Sequence, residues 1–165
     1  MSRQFLLNTL YEIDLGALSH AGMTHEEMID HYLSNSSPLS FLMEKVLAKE
    51  FGNLTYDPTV KSIDVEGTPV KIMPDLRDSN GNLYDQKAFN RKGGDFVRSK
   101  MKGEGRKVNQ SLLEGWARAQ TFIWTDFLDI PLVRVIGLTG NECLERWPNA
   151  KIPIRYREDL FSEAA

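Results

Sequence analysis

Residues 69–89 read PVKIMPDLRDSNGNLYDQKAF, and their interpretation decides the fold. Two β-like runs, Pro69 to Leu76 and Leu83 to Phe89, flank Asp78-Ser79-Asn80-Gly81. That tetrapeptide is a strong turn signal, because Asp and Asn side chains bond their own backbone and Gly accepts a positive φ. A three-residue turn at Ser79-Asn80-Gly81, with Gly81 in the left-handed region, makes Asp78 face Asn82 and Asp75 face Asp85, within one residue of bulge. Directly opposed residues stand roughly 4.5–5.5 Å apart at Cβ. Lys87 lies two residues beyond Asp85 and so emerges on the same face. One hairpin therefore gathers two carboxylates and an amine on one patch of sheet, provided the strands do not slip by one residue.

Upstream, residues 3–15 read as a helix with Phe5, Leu6, Leu10 and Ile13 on its apolar stripe. Thr24-His25-Glu26-Glu27 resembles a capping box for a second helix, with Met28, Ile29, Tyr32 and Leu33 inward. Ser37 and Pro38 open a third, with Leu39, Leu42, Met43, Val46 and Leu47 on its apolar face and Gly52 as its stop. Val60 to Val65 is a further strand candidate. Downstream, a long helix is expected from about Val108 to Phe122 or beyond, then a buried strand from Pro131 to Leu138. Thr139-Gly140-Asn141-Glu142 is a second capping box, for a short helix ending near Trp147-Pro148, and Ile152 to Tyr156 reads as a last strand. This order predicts one α/β domain over residues 1–165, a mixed central sheet flanked by helices. Its parts are a helical N-terminal section to residue 35, a core over residues 38–138, and a C-terminal helix and strand over 139–165.

The chain has 165 residues, 41% hydrophobic and 26% charged, which suits one soluble domain with a sizeable core. No apolar run approaches the roughly 18 residues of a membrane span, and the N-terminal apolar stretch is broken at Asn8, Glu12 and Asp14. Cys143 is alone, which excludes an internal disulfide and a cysteine-based zinc cluster. A reducing, cytoplasmic setting without a membrane partner is expected. Net charge is −3, yet residues 87–107 hold eight basic side chains against Asp95 and Glu104. That segment carries +6 and the remainder −9, an uneven distribution that can direct a polyanion to one face. The alternative is a solvated loop.

Two close carboxylates repel one another, and a cation between them relieves this. Oxygen ligands suit magnesium or manganese, which keep waters and accept phosphate oxygens. Pro74-Asp75, nine intervening residues, then Asp85-Gln86-Lys87, resembles the motif of the PD-(D/E)XK nuclease superfamily, which includes many type II restriction endonucleases. The resemblance spans residues 38–138 in order of elements and rests on few specific residues. It implies a restriction endonuclease-like core. It also implies that Asp75 and Asp85 bind Mg2+ (or Mn2+), with the Gln86 carbonyl as a further ligand, and that Lys87 orients or activates water for phosphodiester hydrolysis. Many members carry a glutamate on the helix before the hairpin; Glu44 is the candidate here and Glu50 its rival. Asp57 and Asp64 are lesser candidates for extra ligands, and His31 for a manganese ligand; His20 and His25 read as surface residues.

The implied activity is a DNA endonuclease, sequence-specific in the commonest case, with homing, phage, structure-specific and repair enzymes sharing the chemistry. Double-stranded DNA is the expected partner, and cutting both strands favours a homodimer. Arg91, Lys92, Arg98, Lys100, Lys102, Arg106 and Lys107 would meet phosphates. Asn109 and Gln110 would read base edges if their helix start enters a groove, or cap that helix. Arg155 and Arg157 flank Tyr156 and are further candidates, while Trp116, Phe122, Ile123 and Trp124 read as core. Two other readings stand beside this one. The acidic pair can be ordinary exposed hairpin residues with Lys87 as their cross-strand partner, or the chain can be a non-catalytic nucleic-acid-binding module. The sequence holds no phosphate-binding glycine loop with Lys-Ser/Thr, no Cys/His cluster and no legible serine or cysteine triad.

Overall fold

The computed structural model of the chain describes residues 3–17, 37–57, 59–65, 67–72, 74–89, 94–95, 110–126, 132–147, 151–152 and 154–161. A six-stranded mixed sheet organises them. In chain order its strands are β1 (Tyr11–Asp14), β2 (Leu54–Tyr56), β5 (Leu76–Asp78), β6 (Leu83–Phe89), β8 (Thr121–Asp126) and β9 (Leu132–Thr139). They lie side by side in the order β1-β9-β8-β6-β5-β2. Every pairing is antiparallel except β6 with β8, which run parallel. Parallel neighbours need a crossover, and α2 (Gln110–Arg118) lies in the connection. Two small ribbons sit apart: β3 (Lys61–Val65) with β4 (Thr68–Ile72), and β7 (Gly94–Asp95) with β10 (Lys151–Ile152).

Helices cover both faces of the sheet. On one, α1 (Ser37–Glu50) buries Met43, Val46 and Leu47 against Tyr11, Ile13, Leu76, Tyr84, Ile123 and Val135. On the other, α2, α3 (Gly140–Arg146) and α4 (Ile154–Phe161) contribute Ala117, Cys143, Leu144, Leu160 and Phe161 against Phe89, Phe122, Trp124, Ile136 and Leu138. All six residues of β8 are buried, as a strand covered on both faces requires. Thr139 caps α3 as expected: its hydroxyl accepts from Glu142 N–H while Glu142 Oε1 accepts from Thr139 N–H. Gly140 is needed there, since a Cβ would lie 1.7 Å from the Ala117 carbonyl oxygen.

Four expectations require correction. Residues 3–15 are not a helix: Asn8 takes a φ of +59°, and Tyr11–Asp14 pair antiparallel with β9 while Leu6 and Leu7 are exposed. The alternation of Tyr11, Ile13 and Leu15, all buried, suits a strand beside the apolar β9 better than a helical stripe does. The helical N-terminal section thus begins, over residues 3–17, as a strand and a short 3-10 helix (Leu15–Ala17), and the second helix with its capping box lies outside the described residues. Second, the run from Pro69 to Leu76 is two strands, β4 in its own ribbon and β5 in the main sheet, broken around Pro74, which cannot donate to a ladder. Third, the helix expected to reach Phe122 ends at Arg118, because TFIWTD is a continuous β-branched and aromatic run. Fourth, Ile152 to Tyr156 is not a strand; only Lys151–Ile152 pair, and α4 follows.

The hairpin turn forms as the sequence requires. Gly81 has a φ of +85°, Asp78 N–H donates to the Asn82 carbonyl at 3.0 Å, and Gly81 N–H to the Asp78 carbonyl at 3.1 Å. The buried Asp78 carboxylate accepts from Asn80 N–H, Asn82 N–H, the Asn82 side chain and the Tyr84 hydroxyl. Burial raises this carboxyl, but the Asn82, Tyr84 and Asn80 hydrogen bonds together hold it below the usual carboxylate range. Asp78 is therefore a turn former, not a ligand. Asp78→Ala strands the Tyr84 hydroxyl and two amides, and is expected to cost about 2–3 kcal/mol near neutral pH. A depressed carboxyl contributes stability above its unfolded pKa and loses it as pH falls through the folded one. The gap between wild type and variant in chemical denaturation should accordingly narrow below about pH 4.

Candidate active site

The pairing of β5 with β6 covers Leu76↔Tyr84 and Arg77↔Leu83, and just beyond it the Asp75 and Asp85 side chains meet. Asp75 lies just before β5, where its N–H donates to the Tyr84 carbonyl at 2.9 Å and its Oδ2 accepts from Gln86 N–H at 2.8 Å. The carboxylate thus takes over an acceptor role at the point where β5 begins. Along β6, Tyr84 and Gln86 are buried while Leu83, Asp85 and Lys87 stand on the more open face. Lys87 Nζ is 3.0 Å from Asp85 Oδ2, with the two side chains only 14% and 16% exposed. The Thr125 hydroxyl, on β8, donates to the Lys87 carbonyl at 3.3 Å.

Glu44 joins this pair from α1. Its neighbours Met43, Val46 and Leu47 are buried against the sheet, and Glu44 itself is buried. The Asp75 side chain is hydrogen-bonded to the side chains of both Glu44 and Asp85. Burial first, then the Asp85 carboxyl beside it, pushes the Asp75 carboxyl far above the usual carboxylate range, against the opposing pull of Gln86 N–H. Burial also raises Glu44, with Asp85 adding to this, while its bond with Asp75 and the nearby Lys45 act the other way. Glu50, the rival, is turned elsewhere: Arg3 Nη2 lies 2.8 Å from its Oε1. Sequence periodicity places Glu50 nearer the centre of the apolar face than Glu44, and it cannot show the partner that takes Glu50, which is far away in the chain.

The remaining candidates do not meet at this point. Asp57 pairs with Arg77 at 2.9 Å and lies 3.8 Å from Lys61, and Asp64 is exposed in the β3–β4 ribbon. Arg157 is not a surface residue of a final strand but a buried one of α4, with Nε 2.9 Å from Asp126 Oδ1. Phe122, Ile123 and Trp124 are wholly buried, as read, and Trp116 packs partly against the core that holds Phe122 and Trp124. Gln110 begins α2. Arg91, Lys92, Arg98, Lys100, Lys102, Arg106, Lys107 and Asn109, and His20, His25 and His31, lie outside the described residues.

Among the described residues, no group of three or more His, Cys, Asp or Glu side chains is spaced to hold a metal ion as it stands. The donor set still fits a hard cation. Magnesium takes only one or two carboxylates and fills its octahedron with waters and phosphate oxygens, so it needs no closed cage. Asp75→Asn keeps an acceptor for Gln86 N–H and removes the proton uptake that folding demands of a carboxyl raised this far. We expect it to raise metal-free stability by about 1 kcal/mol, or roughly 2–4 °C in thermal midpoint, and to abolish any stabilisation by added magnesium.

Comparison with protein-family models, curated proteins and solved structures yields no match. No helix among the described residues is long and apolar enough to cross a membrane.

Proposed function

We propose that the chain is a magnesium-dependent DNA endonuclease of the PD-(D/E)XK kind, acting through Asp75, Asp85, Lys87 and Glu44. The observation that carries this reading is the meeting of Glu44, Asp75 and Asp85 around one point, with the Lys87 ammonium on Asp85. Three crowded carboxylates destabilise a fold, and a cation-dependent task gives them a use. The order of elements adds support. A helix leads into antiparallel strands joined by a tight turn, and a further helix leads to a strand parallel to β6, the sequence of elements that the superfamily's core requires. The exposed-hairpin alternative loses ground, because these charges are largely buried and contact one another rather than solvent.

Asp75 and Asp85 would hold Mg2+ or Mn2+ with the Gln86 carbonyl, and Glu44 would serve a second ion or a bound water. The ion would polarise the scissile phosphoryl group and acidify coordinated water. Lys87, held by Asp85, is placed to orient the attacking water and to stabilise charge that develops on phosphate oxygens. The sheet residues that fix these groups sit on strands rather than loops, which limits their reorganisation during reaction. With one carboxylate cluster per chain, cutting both strands calls for a homodimer, and the basic residues between Arg91 and Lys107 supply the contacts to duplex phosphates.

Incubation of plasmid and phage DNA with and without magnesium tests the proposal. Discrete fragments in magnesium alone support a sequence-specific enzyme, and nicking or smearing supports structure-specific or nonspecific cleavage. Retained DNA binding with no cleavage of any DNA or RNA substrate would overturn it in favour of a binding module.

A further inference from the structure

The open face of β5 and β6 that carries Asp75, Asp85 and Lys87 extends one step further. Leu76 and Asp78 are buried, whereas Arg77 lies on the more open side, opposite Leu83. Two residues along a strand span roughly 7 Å, a separation close to that of successive phosphates on one nucleic-acid strand. Arg77 is also fixed in place. Its Nε donates to Asp57 Oδ2 at 2.9 Å, and its side chain is still 43% exposed. Asp57 is itself secured by the Thr59 hydroxyl, and its backbone N–H donates to the Asp75 carbonyl at 3.2 Å. The residue that holds the guanidinium is thus bonded to the backbone of the candidate metal ligand.

Lys61 Nζ lies 3.8 Å from the same Asp57 carboxylate, so two cations stand around this one anion. Arg77 reaches Asp57 through Nε, the base of the guanidinium fork. A guanidinium presented in this way matches two phosphate oxygens in a bidentate pair. Sequence inspection passed over Arg77 because it looks like an ordinary exposed strand residue between two aspartates.

We infer that Arg77, with Lys61 beside it, clamps the backbone phosphate next to the one hydrolysed, and that Asp57 is the positioning residue for this clamp. The inference rests on the nuclease reading. The test is fluorescence-anisotropy titration of a labelled DNA duplex in magnesium, with Lys87→Ala as the parent, which keeps all three carboxylates. Adding Arg77→Gln should weaken binding roughly tenfold at 0.1 M salt and lower the slope of log affinity against log salt by about 0.9. Arg77→Lys should keep the slope and lose part of the affinity, since the charge stays and the fork goes. Thermal midpoints should barely move, because an exposed ion pair contributes little to stability. Unchanged affinity and slope in the Arg77→Gln protein would overturn the clamp and leave the nuclease reading intact. Failure of both the parent and the wild-type chain to bind duplex would overturn both.

Discussion

Asp85→Ala and Lys87→Ala are each expected to reduce magnesium-dependent DNA cleavage on the order of a hundred- to a thousandfold, for different reasons. Asp85 is one side of the carboxylate cluster and, in the proposed site, an oxygen ligand, so its loss should weaken metal binding and raise the magnesium concentration needed for half-maximal rate. Lys87 donates to Asp85 at 3.0 Å and ligates nothing. Its loss should leave the magnesium dependence nearly unchanged and lower the rate at saturating metal, as expected for a group that acts on charge developing in the transition state. Residues that act as a unit are not additive, so the double variant should be little slower than the worse single one. Single-turnover cleavage over a magnesium titration separates these effects. Cleavage at the wild-type rate by either variant would contradict the assigned roles.

Asp126→Ala should cost about 3–5 kcal/mol of stability, the amount typical of breaking a buried ion pair from one side. Asp126 ends β8 at 1% exposure and faces two arginines, Arg157 from α4 with Nε at 2.9 Å and Arg134 from β9. Removing the carboxylate takes the Asp126 ion pair away from Arg157, which is 3% exposed and lies over the Phe89 ring. Leu160 and Phe161 are anchored through the same helix, so part of that core should loosen with it. Equilibrium denaturation gives the cost directly; a change within about 0.5 kcal/mol, the range of an ordinary surface substitution, would show that α4 is held by its apolar contacts alone. Asp126 pairs with Phe89 of β6, two residues beyond Lys87, and is outside the proposed ligand set, so at temperatures where the variant is folded its magnesium response should persist.

The hairpin was legible in the sequence because its determinants are local. Asp78, Asn80 and Gly81 dictate a turn by their own backbone chemistry, and the turn sets the register that brings Asp75 to Asp85. The Thr139 capping box was legible for the same reason. The errors fall where local pattern is ambiguous and distant partners decide. Phe5, Leu6, Leu10 and Ile13 fit a helical stripe, but the backbone turn at Asn8 and the free edge of β9 make residues 11–14 a strand. A strand buried on both faces, such as Thr121–Asp126, has no alternation to reveal it and merges with the helix before it. Helical counting puts Glu50 nearer the centre of the apolar face and Glu44 at its edge, and only the folded position of Arg3 reveals that Glu50 is engaged elsewhere. Arg157 reads as a surface base because nothing near it in sequence announces Asp126.

Manganese binding to the wild-type chain and to Asp75→Ala, followed by electron paramagnetic resonance of the free ion, tests the central claim without any assumption about the DNA target. The account predicts at least one manganese ion bound per wild-type chain, competed by magnesium and lost in Asp75→Ala. No binding at millimolar manganese, or binding that Asp75→Ala leaves unchanged, would contradict it.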